Sequence, residues 1–530
     1  MPLPTADQTW PPTDARVQTA MADWDAWFSA DPDRLEQRYE GRGYRGIDRP
    51  AQYATGVRGR LARWFWGAPT TAGQKRTKLH VPLAGDIART SSELLFSEPP
   101  KLSSESQTTQ DRLDEIVEKG LHPTLLEAGE LGAALGGVYL RIVWDETVAD
   151  RPWIAPVAAD CAVPEFRYGR LAAVTFWTLL DSGDPSDRRV WRHLEKHERG
   201  VIYHGLYEGG TGSLGRAVPL EDHPATAPLA AMVDAEGGIE TGAPDHLTAA
   251  YIPNVRPARA WRHIPSASYW GQSDYQGIEG ILDALDETYS SWMRDVRQGK
   301  GRILVANALL DAAGPGQGAT WDEDREVYAG LNMLPRAGDP NPISAVQFEI
   351  RVQEHRDTCA ELVEQAVRQA GYSASTFGES GDGAAVTATE IRARERRSMA
   401  TRARKALYWR PAVADIVAAL LAVEAGPLFG VAGLDPTPPD VEFQDSISEG
   451  PVELATTAEL MRRAEAASTE TLVRMLHPDW DDDQVDAEVE EIQGESGRGV
   501  ADPFATGAEG EGVPHAGLPS AGGGPRAEGP

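Results

Sequence analysis

The stretch DALDETYSSWMRDVRQGKGRILV, residues 283–305, decides the fold. It is acidic at Asp283, Asp286 and Glu287, basic at Arg294, Arg297 and Lys300, and then turns β-branched. Around it, Ile278, Leu282, Leu285, Tyr289, Trp292, Met293 and Val296 recur at spacings of three and four, which gives one apolar helical face. A helix of about 22 residues is roughly 33 Å long. Its charge order suits the helix macrodipole, with anions near the start and cations near the end.

Downstream, GRILVANALL and REVYAGLNML read as strands around a Gly/Pro loop at 312–319, a compact insertion. A second helix follows through FEIRVQEHRDTCAELVEQAVRQAG, with Ile350, Cys359, Leu362, Val363, Ala366 and Val367 on one side. The order helix, β insertion, helix lets the returning helix pack on the first and leaves the insertion at one tip. The glycine-rich segment YSASTFGESGDGAAV, 372–386, comes next. It runs into a helix start in which Thr387 and Glu390 fit a capping box, with Val386 and Ile391 placed for a hydrophobic staple. That helix extends to about residue 425, and Pro411 is expected to kink it.

Upstream, residues 14–40 read as a helix with Trp24, Trp27, Phe28 and Leu35 on its apolar side, followed by a Gly/Pro-rich connector. HVPLAGDIARTSSELLFSEPPKL carries a second helix, ended by Pro99-Pro100, and a helical pair is predicted over 107–135. Residues 137–270 hold short β-prone runs separated by Gly, Pro and Asp, which predicts antiparallel sheet with GGTGSLG as a hairpin loop. Near the C-terminus, DVEFQDSIS reads as an edge strand. Helices are predicted at 452–466 and 469–492, with Leu472, Val473, Leu476, Val485, Val489 and Ile492 as apolar positions. From Gly494 the composition is that of a disordered tail.

The chain has 530 residues, 41% hydrophobic and 25% charged, with 15 Trp and a formal charge of −30. That balance argues against a conventional nucleic-acid binder, whose affinity rests on phosphate neutralisation, but not against a surface that DNA passes without sticking. The charge is uneven: from Glu449 onward acids outnumber bases 18 to 5, whereas Thr387–Arg410 has eight bases and two acids. No run approaches the roughly 20 apolar residues that span a bilayer. The N-terminus lacks signal-peptide features, and Cys161 and Cys359 offer neither a disulfide framework nor a cysteine metal cluster. A cytosolic site is the simplest expectation.

Catalytic motifs do not assemble. GGTGSLGR lacks the GK[ST] ending of a P-loop, so ATP-driven work would fall to another protein. In HLEKH the zincin glutamate position is Leu194, and the surroundings read as strand, so His193 and His197 are expected to be exposed strand histidines and not metal ligands. DWDDDQVDAEVE, which includes Asp481 and Asp483, imitates a calcium loop but has Gln484 where Gly is needed. An acidic first helical turn fits better. FGESGDG misses the nucleophile elbow at Asp382. Neither a catalytic residue nor a cofactor is expected.

The ordered set VPLAGDIARTSSELLFSEPP (81–100), LHPTLLEAGELGAALGGVYLRIVWD (121–145), YWGQSDYQGIEGILDALDETYSSWMRDVRQGKGRILV (269–305) and TATEIRARERRS (387–398) resembles the portal proteins of long-tailed, siphovirus-type bacteriophages. The likeness covers most of residues 20–493. It implies an α+β subunit of a ring, typically of twelve, at one capsid vertex, through which the genome is packaged and ejected. By that resemblance 1–136 and 137–272 would be the helical and β-rich parts of a wing, 273–299 and 346–372 stem helices, and 300–345 a clip. Residues 373–386 would be a tunnel loop, 387–425 a kinked helix, 426–451 a connector, 452–493 a crown and 494–530 a tail.

The resemblance implies as partners further copies of this chain, double-stranded DNA, terminase, a head–tail connector, the major capsid protein and a scaffolding protein. It implies no membrane, and a location at the portal vertex of the virion, with the host cytoplasm during assembly. Channel-facing candidates are Phe377, Gly378, Glu379, Ser380, Asp382 and Val386 in the tunnel loop. Arg294, Arg297, Lys300 and Arg302 are the basic candidates near the stem–clip junction. The loop has acids but no Lys or Arg, so a cationic loop contact with phosphate is not expected. The rival readings are another head–tail connector or head-assembly protein, which would not need paired long helices around an insertion, and a hydrolase using the acidic C-terminal cluster.

Overall fold

The computed structural model describes residues 3–35, 79–183, 188–298, 302–306, 329–331, 343–346, 350–378, 388–443, 451–464, 466–477, 480 and 482–497, without the side chains of 297–298, 302–306, 329–331, 343–346, 388–394, 451–454, 482–483 and 495–497. The chain forms two compact units, Met1–Gln444 and Asp445–Pro530.

In the first unit, α1 is Ala15–Phe28, capped by Asp14 Oδ1 accepting from the Arg16 amide at 2.9 Å. The expected 14–40 helix is broken after Phe28: Ala30 takes φ +51°, which no helix continues through, and helical structure resumes at 32–35, with 36–40 outside the described residues. Helix α2, Leu83–Phe96, buries Leu83, Ala84, Ile87, Ala88, Ser91, Ser92, Leu95 and Phe96, a stripe at spacings of three and four. After strand β1, Lys101–Ser103, come α3, Gln107–Ile116, and α4, His122–Leu135, joined by a π turn at Val117–Leu121. This is the helical pair expected at 107–135.

The β-prone region forms antiparallel sheet, as expected. Strands β2 (Gly137–Val143), β3 (Trp153–Ala158) and β10 (Ala249–Pro253) make one three-stranded sheet, with β2 in the middle. Strands β4 (Ala162–Arg167), β5 (Arg170–Leu180), β6 (Val190–Glu198), β7 (Val201–Gly210) and β8 (Ser213–Val218) run in sequence order, with β9 (Gly238–Glu240) beside β7. The GGTGSLG segment is the β7–β8 hairpin. Its register slips between Glu208 and Gly210, and Gly215 at φ +82° has its Cβ position filled by the Glu208 carbonyl oxygen. Only glycine fits there.

The HLEKH histidines sit in β6, but the expectation of exposure fails. His193 is 9% and His197 1% exposed, because the face carrying them is covered by the β2–β10 sheet, with His197 Nδ1 2.8 Å from Thr248 Oγ1 and Arg141 joined to the intervening Glu195.

Helix α5, Glu279–Gln298, and helix α6, Val352–Ala370, flank strands β11 (Arg302–Ala306), β12 (Ala329–Leu331) and β13 (Ile343–Val346). Central β11 pairs parallel with β12 and antiparallel with β13. Strand β13 was not expected, and α6 starts at Val352, which leaves Ile350 outside its apolar side. Helix α7, Ala388–Ala425, runs through Pro411 as one helix. Its segment Glu395–Ala425 is long and apolar enough to cross a membrane by length and composition alone. The structure uses it as a core helix: Trp409, Val413, Ile416, Val417, Leu420 and Leu421 are buried with residues of α2, α3, α4 and β2. At about 1.5–3 kcal/mol for each large aliphatic side chain, this stripe is a major contribution to the unit. Strand β14, Asp440–Glu442, pairs with β1.

The second unit contains α8 (Pro451–Arg463), α9 (Thr469–Leu476) and α10 (Asp482–Gly497), whose buried positions are Ala458, Leu472, Val473 and Val485. The helix expected over 469–492 is broken after Leu476, ahead of Pro478, which cannot extend it. Helix α10 begins at Asp482 with Asp483 in its first turn, the acidic helix start read from DWDDDQVDAEVE. Asp481 lies outside the described residues. The expected tail start at Gly494 is instead helical, because α10 runs on to Gly497, and residues beyond it lie outside the described residues.

Within the first unit, Arg112 on α3 reaches across to Glu424 on α7. Its Nε donates to Glu424 Oε2 at 2.8 Å and its Nη2 to Oε1, while Nη1 lies 2.7 Å from Glu115 Oε2. The Glu424 side chain is fully buried, so Arg112 is what keeps its charge tolerable. Arg112→Met is expected to cost about 3–5 kcal/mol, the usual penalty for stranding one member of a buried pair, and to appear as a lower denaturant midpoint for the first unit.

Candidate functional site: the helix pair and the segment that follows it

Helices α5 and α6 run in opposite directions, because the end of one meets the start of the other. Asp295 Oδ2 accepts from Arg351 Nη2 at 3.0 Å and lies 2.9 Å from His355 Nε2. The Trp292 and His355 rings stack beside them at 6.1 Å and 7°. Side-chain hydrogen bonds from His355 and Arg351 hold the Asp295 carboxyl below the ordinary range. At the other end, Glu279 Oε2 accepts from the Gly277 amide at 2.8 Å and Oε1 accepts from Trp24 Nε1 at 3.0 Å. In the middle, Asp286 binds the segment ahead of α2: Oδ1 accepts from the Val81 amide at 2.9 Å and Oδ2 lies 2.8 Å from His80 Nδ1.

The predicted apolar face of α5 is buried only in part. Ile278, Leu282 and Leu285 belong to the core with Cys359, Ala366 and Val367 of α6, whereas Val296 is 40% exposed and Trp292 and Met293 are half-buried. Arg294 is exposed and sits 3.9 Å from Glu287, an ion pair too loose and too solvated to add much stability. Arg297 belongs to the last turn of α5 and Arg302 opens β11, while Lys300 lies outside the described residues.

At the far end of α6 the chain turns at Gly371, φ +105°, whose carbonyl accepts from Thr401 Oγ1 at 2.6 Å. Tyr372 is buried directly after it. Its hydroxyl donates to Asp274 Oδ2 at 2.7 Å and accepts from Lys405 Nζ at 2.8 Å. Lys405 Nζ also donates to Asp274 Oδ2 and to Ser91 Oγ, both at 2.6 Å, while Asn254 Nδ2 donates to Asp274 Oδ1 at 2.7 Å. Burial pushes the Lys405 ammonium below the ordinary lysine value, opposed by Asp274, and pushes the Tyr372 hydroxyl well above its own.

One further contact fixes the start of the predicted loop. Ser398 Oγ accepts from the Ser373 amide at 2.9 Å and lies 2.8 Å from Thr376 Oγ1. Ala374–Phe377 form a 3₁₀ turn, with the Phe377 ring edge-on to Tyr372 at 6.2 Å, and Gly378 follows at φ +79°. Glu379, Ser380, Asp382, Val386 and Thr387 lie outside the described residues. Helix α7 begins at Ala388 with Glu390 in its first turn, next to the predicted start, but the capping-box and staple contacts fall outside the described side chains.

The basic candidates and the loop candidates therefore belong to opposite ends of the helix pair, separated by the length of α6, roughly 28 Å for 19 residues. Sequence reasoning missed Ser398, Thr401 and Lys405, which recur at three and four on α7 and form the polar stripe that holds 371–376. The available signal was that stripe, set beside an unusually basic run.

The stretch containing this helix pair matches a known family. Residues 266–500 match the family described as phage portal protein, SPP1 Gp6-like. That match spans a little under half of the chain, and over it the chain is similar to this family. A search among curated proteins returned no match. Among solved structures, the neck of a native GTA particle computed with C12 symmetry is 15% identical, covering 79% of this chain and 99% of that one, with a TM-score of 0.36. The neck of an empty GTA particle computed with C6 symmetry is 14% identical over 77% and 94%, with the same score of 0.36. At those scores neither likeness carries an argument about this chain.

Lys405→Met alone strands Asp274 in the core and is expected to lower stability by about 3–5 kcal/mol. The double variant Lys405→Met with Asp274→Asn, which removes both charges and keeps the Asn254 and Tyr372 contacts possible, should recover more than half of that loss in denaturant unfolding. Additive losses would show that the two residues act independently.

Proposed function

We propose that this chain is the subunit of a phage portal ring, the passage for genome packaging and ejection and the platform on which a head–tail connector docks. The observation that carries the reading is the antiparallel α5–α6 pair with a three-stranded insertion at one end and an anchored glycine-rich segment at the other, inside the portal-family stretch. On this reading 273–299 and 346–372 are stem, 300–345 clip, 373–386 tunnel loop, 387–425 the helix crossing above the stem, and 452–493 crown. The helices and sheets of 1–272 form the wing, and 426–451 connects wing to crown. The chain acts as a conduit and not as an enzyme. ATP hydrolysis belongs to a terminase docked at the clip, and the ring sits at the capsid vertex among copies of the major capsid protein, having assembled in the host cytoplasm.

Two features support a ring. The half-buried Trp292 and Met293 and the exposed Val296 at the end of α5 suit the flank of a neighbouring copy. Twelve copies at −30 each would total about −360, a field that discourages DNA from adhering to most of the surface. Scattered cations such as Arg294 can still steady a moving duplex, because each phosphate contact is modest and screened by salt.

Electron-microscopic class averages of the purified chain, viewed down the symmetry axis, are expected to show a closed ring with a duplex-wide hole, and a lone monomer under all conditions would defeat the proposal. Arg294→Glu with Arg297→Glu is expected to leave the ring intact and reduce packaged DNA. Normal packaging by that variant would remove these residues from DNA contact. Deleting Gly378–Gly383 is expected to give soluble rings that fail to package or retain genome, since the described anchors of the loop end at Gly378. Insoluble protein would instead give the loop a folding role.

A further inference from the structure

A second group of chemistry-bearing side chains lies in the six-stranded sheet, away from the helix pair. His193, Glu195 and His197 alternate along β6 and so share one face, and the β6–β7 register sets Glu195 directly opposite His204. Among the described residues, His193, Glu195 and His204 each bring a ligand atom within 4.8 Å of the others.

We propose that His193, His204 and Glu195 bind a borderline divalent transition-metal ion, Zn²⁺ or a similar ion, with His197 or a water completing four-coordination. Three geometric observations carry this. First, His193 Nε2 and His204 Nδ1 are 3.2 Å apart, with the rings stacked at 13°. Two nitrogens on a tetrahedral ion with bonds of about 2.0–2.1 Å are separated by about 3.3–3.4 Å, so the pair needs almost no adjustment to chelate. Second, Glu195 Oε1 is 3.7 Å from His193 Nδ1 while Oε2 is engaged by Arg141, which fixes the carboxylate from the neighbouring sheet as an outer-shell partner does. Third, His197 Nε2 is fully buried, has no hydrogen-bond partner, and lies 3.9 Å from Glu195 Oε2. A side chain 1% exposed with an unused nitrogen is costly unless something meets it.

A cavity of about 140 Å³ opens onto Glu195, His197 and His204, with Thr248, Met232 and Leu428 around it. It has room for an ion and water. Imidazole donors select Zn²⁺ and its neighbours over Ca²⁺ and Mg²⁺, which prefer oxygen. Arg141 sets the opposing term, because its charge repels the ion. This makes the site one of moderate affinity whose role is to pin β6 to β7 across their shared face. The rival arrangement is a metal-free hydrogen bond between the neutral His193 and His204 rings beside the Arg141–Glu195 pair.

The test uses the untagged full-length chain, stripped with chelator and titrated with Zn²⁺ or with Co²⁺ as a visible probe. One Co²⁺ per chain is expected, with the absorption of four-coordinate Co²⁺, displaced by Zn²⁺, and with a higher thermal midpoint in the loaded protein. His193→Gln and His204→Gln should each weaken binding by at least the roughly 10–100-fold that loss of an outer-shell partner costs. His263→Gln, on an exposed loop, should leave binding unchanged. No stoichiometric binding, or equal binding by both β-sheet variants, would overturn the proposal. Should those variants fail to fold, X-ray absorption of the Zn²⁺-loaded wild type decides: two or three imidazoles at about 2.0–2.1 Å support the site, and an all-oxygen shell refutes it.

Discussion

The buried ammonium of Lys405 is the constraint on which the arrangement around the helix pair depends. Its three donors go to Asp274, Ser91 and Tyr372, and those residues come from three different parts of the first unit: the turn before α5, the middle of α2 and the end of α6. A Lys side chain that is 1% exposed is tolerable only when its charge is matched and its donors are used. The network satisfies both demands at once and leaves one arrangement of the four segments. Apolar packing alone would accept many small slides of α7 along its neighbours. A charge that must find Asp274 accepts none of them.

That fixed point has consequences on either side. Toward the N-terminus of α5 it positions Asp274, so the helix begins from a held turn and is further braced by Trp24 and Asp286. Toward the loop it positions Tyr372, and Thr401 and Ser398, one and two turns before Lys405 along α7, continue the grip through Gly371 and Ser373. The described contacts of the segment therefore stop at Phe377 and Gly378.

The helix pair, the order of elements around it and the antiparallel sheet were legible in the sequence because each rests on local periodicity: threes and fours from Ile278 to Val296, twos in β6 and β7. What was not legible depends on contacts distant in sequence. The histidines of HLEKH were read correctly as strand residues, but their burial follows from a second sheet whose Arg141 and Thr248 lie about fifty residues away on either side. Lys405 looked like one more cation in a basic run, and nothing nearby in sequence announces Asp274. The breaks after Phe28 and Leu476 were missed because apolar spacing continues past them, while one backbone at φ +51° and one proline end the helices. The residues proposed to face a channel were the least legible, since a single sequence does not fix how a helix would be rotated in an assembly, and much of the loop lies outside the described residues.

The buried cations and the acidity of the chain act on different things. Arg112 and Lys405 are both consumed by carboxylates inside the first unit, and Arg402 donates to the Leu94 carbonyl at 2.6 Å, so part of the basic character of the 387–410 run is spent on the fold. Each buried pair removes one positive and one negative charge, so the net charge left to solvent is unchanged, and Arg396, Arg397, Arg404 and Arg410 of the same run stay exposed. For a passage this matters in sign and in scale: a surface rich in free cations would hold a polyanion at many points, and the summed contacts would resist motion. A surface of net negative charge whose exposed cations, such as Arg294 loosely paired with Glu287, are scattered would repel a polyanion overall and hold it only weakly at single points. Net acidity, and not the burial of a few cations, is thus what would keep the proposed bore from holding a polyanion.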